Sequence, residues 1–249
     1  MNLTYWNRAA ACYDDDIFSV LRNDRNGVLL RAMEQVANPR GVAGDLGCGS
    51  GIILPEVARR FGTVHAIDLS PKLVEIARAS CRRFTNIEYG AADLSRRGKA
   101  LAALPKLDVV VNVNVLIAES RPLREAILDN LIRALRPGGH LLLVVPSLES
   151  VLWTATRLAE WNRRRRTPRL PDKVLDSKRA GEGLVKIEGV PTKHYLREEL
   201  ESELSQRGLK LCALEKIEYH WDTEFDEAPK WMGTPFPWDW MCLARRSKK

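Results

Sequence analysis

From about residue 42 onward, short apolar runs rich in β-branched residues alternate with stretches whose apolar residues recur at helical spacing. Such alternation predicts repeated βα units and a parallel sheet. Strands are expected at 41–46, 64–67, 87–89 and 107–115, the last apolar enough to be buried on both faces. A helix is expected at 52–61, and Ser70-Pro71 opens the next, serine as cap and proline in the first turn. A further helix over 122–135 runs into Arg136-Pro137-Gly138-Gly139, which stops it and turns the chain into a strand at 140–145. The regular pattern then breaks from 147 to about 191. It resumes with a helix at 196–206 and strands at 209–219 and 238–245. No helical periodicity joins these two strands, so no crossover helix can keep them parallel, and the final strand should run antiparallel.

Composition adds limits to this pattern. A chain of 249 residues, 45% of them apolar, can bury a large core and suits one elaborated α/β domain. No apolar run approaches the roughly 20 residues of a membrane span, and the N-terminus lacks a signal-peptide layout, so a soluble, cytoplasmic protein is expected. Cys12, Cys48, Cys81, Cys212 and Cys242 are scattered, as are the four histidines, which signals neither disulfides nor a metal site. The formal charge is +7, and residues 163–179 hold eight basic residues against Asp172 and Asp176, a net of +6. Nearly the whole excess belongs to one segment.

The most informative stretch is Gly44-Asp45-Leu46-Gly47-Cys48-Gly49-Ser50-Gly51, at a strand's end and just before a helix. A glycine-rich turn there lets backbone approach a ligand where α/β sheets bind one, at the strand C-termini. A dinucleotide fingerprint needs a third glycine at position 52, which is Ile52, so the nicotinamide reading is weakened.

At these residues the chain resembles the class I S-adenosylmethionine (SAM) methyltransferases, whose first motif is an acidic residue followed by G-x-G-x-G. The resemblance covers roughly residues 40–147 and, more weakly, both ends. It implies a Rossmann-like α/β fold with helices on both faces of a seven-stranded sheet, in the order 3-2-1-4-5-7-6. It also implies SAM as cofactor, held by Asp45, Gly47, Cys48, Gly49 and Gly51. Asp68, with Leu69 beside it, matches the acid that accepts the ribose hydroxyls, for which two acceptor oxygens suit a carboxylate. Asp93 and Leu94 match the adenine-reading motif, Asn112 or its neighbours lie near the methionine end, and Leu135 to Leu142 match the turn into the fifth strand. Ala9-Ala10-Ala11-Cys12-Tyr13-Asp14 is similar to the A-x-x-Y-D segment that folds over the cofactor in many small-molecule relatives, so residues 1–38 are read as cap helices with Tyr13 near SAM. Two features depart from relatives: Leu116-Ile117-Ala118-Glu119-Ser120 stands where many carry an acceptor-facing histidine or aspartate, and the D/N-P-P-Y/F signature of base-amine methyltransferases is absent.

SAM carries its own activation as a sulfonium, so positioning supplies much of the acceleration and a general base is optional. Tyr13, His194 and Tyr195 are the candidate bases, the last two at the start of the late helix. Acceptor choice is read from residues 148–193, an insertion at the cofactor edge expected to act as a lid. A helix over 148–166 should bury Leu148, Val151, Leu152, Ala155, Leu158 and Ala159, leaving Trp153 and Trp161 on the opposite side and running into Arg163 to Arg166. Those arginines are a candidate docking patch for an anionic membrane surface or nucleic acid, or a solvated helix end. A small-molecule methyltransferase resembling the quinone-pathway enzymes leads, followed by one acting on RNA or protein, then a SAM-binding protein without transfer activity.

Overall fold

The computed structural model describes residues 2–10, 18–164, 168–169, 171, 173–175, 179–187 and 189–248. Its elements in chain order are α1 (Leu3–Ala9), α2 (Val20–Asn23), α3 (Val28–Gln35), β1 (Asn38–Leu46), α4 (Leu54–Ala58), β2 (Phe61–Asp68), α5 (Pro71–Ser80), β3 (Ile87–Ala91), α6 (Lys99–Ala102), β4 (Leu107–Val113), α7 (Arg121–Ala134) and β5 (Leu135–Pro146). They continue with α8 (Leu148–Asn162), β6 (Lys173–Leu175), β7 (Leu184–Ile187), β8 (Val190–Lys193), α9 (Arg197–Gln206), β9 (Leu209–Glu218) and β10 (Trp238–Arg246).

Seven strands form one sheet in the order β3-β2-β1-β4-β5-β10-β9. The first five pair in parallel, and β10 lies antiparallel between β5 and β9. Leaving out the three insertion strands, this is the expected 3-2-1-4-5-7-6. Leu141, Leu142, Leu143, Val144 and Val145 of β5 are all buried because helices cover both faces of the sheet. Between β9 and β10 stand only short 3₁₀ turns, Trp221–Thr223 and Lys230–Met232, which explains the antiparallel return.

Several boundaries differ from the sequence reading. The helix expected over 52–61 is only Leu54–Ala58, since Phe61 already begins β2. The helix expected over 148–166 ends at Asn162, and its buried stripe is Leu148, Ser150, Val151, Thr154, Leu158 and Trp161, while Leu152, Ala155 and Ala159 are exposed. That stripe is rotated because a second surface covers the helix. Trp161 packs with Trp221, Phe225 and Met232, and Trp153 donates its indole N–H to the Pro235 carbonyl at 2.7 Å. The rest of the insertion contains a three-stranded antiparallel sheet, β6-β7-β8, whose strands of three or four residues are too short for periodicity to reveal.

The end of this insertion is pinned to the main sheet. The Lys193 and Tyr195 amides donate to the Ile117 and Pro146 carbonyls at 2.9 and 2.8 Å. The buried Lys193 ammonium bonds both Glu199 carboxylate oxygens, at 2.6 and 2.7 Å, and the Glu182 carbonyl at 2.9 Å. A pair whose ammonium is buried in this way fixes position more than it adds net stability. Among the described residues, no helix is long and apolar enough to cross a membrane.

Candidate active site

The parallel strands deliver β1 and β4 to one edge of the sheet, and there the chain turns sharply. Gly47 adopts φ +95°, and the Gly47 and Cys48 amides both donate to the Ile67 carbonyl, at 2.7 and 3.0 Å. A Cβ at Gly47 would come within 2.2 Å of Val115 Cγ2, so the turn lies directly against the residues following β4. Next to this turn opens a cavity of 400 Å3. Its walls come from the glycine loop, from the N-terminal residues Tyr5, Trp6 and Phe18, from the insertion through Val151, Thr154 and Ile187, and from the start of β10.

The glycine-loop end is acidic. Asp45 is 2% exposed and its Oδ2 has no hydrogen-bond partner among the described residues. Burial, with the nearby Asp68 carboxylate adding to it, pushes Asp45 up to about 7. Asp68 is raised too, by burial, although its Oδ2 accepts the Gly49 amide at 2.9 Å and its Oδ1 the Ser70 amide at 2.8 Å. Two neighbouring buried carboxylates, one with a bare oxygen, suit a cationic ligand.

Of the residues expected to bind the cofactor, Asp45, Gly47 and Cys48 line the cavity, while Gly49, Gly51, Asp68, Leu69, Asp93, Leu94 and Asn112 do not. Asp68 and Asp93 instead continue a row along the ends of β2 and β3, joined where the Ala92 amide donates to the Asp68 carbonyl at 2.8 Å. Asp93 Oδ1 accepts the Ser95 amide and hydroxyl at 2.9 and 2.6 Å, and Arg96 pairs with its Oδ2 at 3.2 Å. Leu94 is buried and Leu69 half-buried. Asn112 is fully buried and donates to the Leu46 carbonyl, clamping β4 to β1; its neighbour Asn114 is the one that lines the cavity.

The candidate bases separate. Tyr13 lies outside the described residues. Tyr195 sits in the core and donates its hydroxyl to the Leu116 carbonyl at 2.7 Å, and burial drives its pKa upward, so it does not face the cavity. His194 lines the cavity, is 3% exposed, and precedes α9 rather than starting it on the surface. Burial lowers its pKa to about 3, and its Nδ1 lies 3.1 Å from the Thr192 carbonyl. A neutral ring donating from Nδ1 leaves Nε2 as an acceptor. His194 is therefore expected to keep one charge state between about pH 5 and 8. Imidazole proton shifts followed by NMR should stay flat for it, and an inflection near its ordinary value would contradict this burial.

Sequence reasoning reached Asn114 only as a neighbour of Asn112 and Lys173 only within the basic segment, and did not single out Tyr219, Glu224, Trp238 and Asp239 as site residues. All six line the cavity. Asp239, a carboxylate set between Trp238 and Trp240 at the start of a strand otherwise apolar through Ala244, was the available signal. Of the arginine run, Arg165 and Arg166 lie outside the described residues, and the Arg164 guanidinium stacks over Trp231 at 4.1 Å. Among the described residues, no group of histidine, cysteine, aspartate or glutamate side chains is arranged to hold a metal.

Residues 44–139 match the family model described as a methyltransferase domain. Demethylmenaquinone methyltransferase of Tropheryma whipplei (strain Twist) is 33% identical over 99 residues, 39% of this chain and 38% of that protein's length. Magnesium-protoporphyrin O-methyltransferase of Rhodobacter capsulatus is 29% identical over 205 residues, covering 79% of this chain and 88% of the relative. Among solved structures, the N-methyltransferase NodS from Bradyrhizobium japonicum, in complex with S-adenosyl-L-homocysteine (SAH), aligns with a TM-score of 0.64 at 16% identity over 98% of this chain and 97% of its own. The glycine turn, the strand order and the match of residues 44–139 to a methyltransferase domain point the same way, and over nearly the whole chain the fold is similar to that of NodS.

Proposed function

We propose that the chain transfers the methyl group of SAM to a small-molecule acceptor. The observation that carries this reading is the buried Asp45–Asp68 pair beside the Gly47 turn, with an Asp45 oxygen that has no partner among the described residues. SAM supplies an electrophilic methyl on a sulfonium, and its ammonium gives Asp45 the cation it lacks. Gly47 leaves room for the ligand, while Asp68 and Asp93, along the ends of β2 and β3, are the ribose and adenine residues of this proposal. The acceptor shares the cavity, whose walls close over it from the N-terminal residues and the insertion, and the volume suits a small ligand. Residues 148–193 are thus the lid of this proposal, excluding water from the reaction. Relatives named for quinone and protoporphyrin substrates agree in scale, and a cytoplasmic location belongs to the same reading. Calorimetry should show SAM and SAH binding, and tritium from methyl-labelled SAM should pass to a small acceptor. Tight NADH binding without SAM binding would overturn the reading.

A further inference from the structure

The far end of the cavity carries a polar arrangement that SAM binding leaves unused. Asp239, the second residue of β10, is paired with Pro146 at the end of β5, which places it on the cofactor edge of the sheet. β10 is three strands from β1, about 14 Å at ordinary strand spacing. Asp239 is 9% exposed, and its Oδ2 accepts the Tyr219 hydroxyl at 2.9 Å and the Asn114 amide group at 3.4 Å. Its Oδ1 has no donor among the described residues. Asn114 bridges the two ends of the cavity: it stands at φ +54°, its amide held by the Val144 carbonyl at 2.9 Å, one residue before the Val115 that packs on Gly47.

Charge at this end is nearly settled without Asp239. Lys173 pairs with Glu224 at 2.5 Å, and His194 is neutral. Two further lining groups, the Trp238 indole N–H and the Thr154 hydroxyl, are buried with no partner among the described residues. The surrounding walls are apolar, formed by Ile117, Val151, Ile187 and Val190. An occupant must therefore offer an apolar body, a hydrogen for Asp239 and oxygen for the unpartnered donors.

We propose that Asp239 is the base that holds and deprotonates the hydroxyl of a neutral, hydroxyl-bearing acceptor, with Tyr219 and Asn114 positioning its carboxylate. The proposal rests on the methyl-transfer reading. In the balanced step, an acceptor oxygen lone pair forms the new O–CH3 bond, the C–S pair stays on sulfur, and the hydroxyl proton passes to Asp239. A carboxylate acceptor fits poorly, since it has no proton to give and would add an anion beside Asp239 and Glu224. An ammonium acceptor would meet Lys173 and the sulfonium. Burial raises the Asp239 pKa, while Tyr219 just after β9, Lys173 from β6 and Asn114 beyond β4 pull it down and Glu224 pushes it up. A carboxylate made more basic in this way is better suited to take a proton.

Catechol is the probe and benzoate its anionic control, each titrated calorimetrically into the SAH complex, with tritium transfer to catechol measured across pH. Catechol should bind the wild type at least about tenfold tighter than benzoate. Asp239→Asn should cut transfer by about a hundredfold or more while SAH affinity stays within about twofold. Transfer should rise with pH as Asp239 ionises. Tyr219→Phe, which removes a donor to the ionised carboxylate, should move that rise to higher pH. Transfer by Asp239→Asn near the wild-type rate, preference for benzoate, an unmoved pH profile in Tyr219→Phe, or no catechol binding by a wild type that binds SAH would each overturn the proposal. A wild type that binds no SAH would instead remove the methyl-transfer reading, and this proposal with it.

Discussion

Replacing Gly47 with alanine is expected to weaken SAH binding by more than about a hundredfold and to lower unfolding free energy by about 2–4 kcal/mol. Two effects act at the same atom. The first is conformational, since φ at Gly47 is +95°, a region that an L side chain rarely adopts. The second is steric: the added methyl would lie 2.2 Å from Val115 Cγ2, and valine, branched at Cβ, has few rotamers to retreat into. The turn cannot move away freely, because the Gly47 and Cys48 amides share the Ile67 carbonyl and Asp68 holds the Gly49 amide. Relief must therefore come from displacing the loop that lines the cavity. Adding Val115→Ala should recover part of the stability, by removing the clash, while leaving the φ strain and most of the binding loss. Denaturant unfolding and calorimetry measure the two losses separately. Near-wild-type affinity in Gly47→Ala would mean that the turn does not contact the cofactor.

The sheet was legible because each βα unit carries its own local signal. Ser70-Pro71 caps α5 as expected, with the Ser70 hydroxyl accepting the Leu73 amide, and β4 is apolar enough to be recognised as a doubly covered strand. Strand order came from the resemblance and not from periodicity. The cofactor end was legible for the same reason as the sheet, since Asp45 and Gly47 lie within eight consecutive residues. The acceptor end was not. His194 was named from the sequence, but Asn114, Lys173, Asp239 and the pair Tyr219 and Glu224 come from four separate stretches of chain, and only tertiary structure brings them to one cavity with it. Tyr195 shows the converse: a tyrosine next to a cavity histidine faces the core, because the Ser147–Tyr195 bridge fixes the backbone there and the hydroxyl reaches Leu116. Trp161 was placed on the open side of α8 because helical periodicity sees one covering surface, whereas residues after β9 supply a second.

Asp45→Asn is expected to have opposite effects on the ligand-free and ligand-bound protein. In the unfolded chain an aspartate titrates near about 3.9. In the fold, burial and the Asp68 carboxylate raise Asp45 to about 7. Between those values the native state keeps a proton that the unfolded chain has lost. The stability due to that proton is therefore fully present below about pH 4, declines as pH rises, and is gone above about pH 7. A gap of this size is worth at most about 4 kcal/mol. Asparagine keeps the shape without the charge, so the variant should match the wild type near pH 4 and exceed it at pH 8. Ligand binding should go the other way. Pairing the SAM ammonium with an ionised Asp45 is worth about 1.5–3 kcal/mol, so the variant should bind roughly 10- to 100-fold more weakly. Below pH 7 the wild type must release a proton to bind, so its affinity should fall with falling pH, whereas the variant's should lose that dependence. Asp68→Asn provides the contrast: its carboxylate holds the Gly49 and Ser70 amides, so the change should weaken SAM binding at least about tenfold without a compensating gain in stability. Thermal unfolding at pH 4 and pH 8, with calorimetry across the same range, separates these outcomes. An Asp45→Asn protein that is less stable at pH 8 yet binds SAM as tightly as the wild type would make Asp45 a structural carboxylate and leave the cofactor's ammonium to another group.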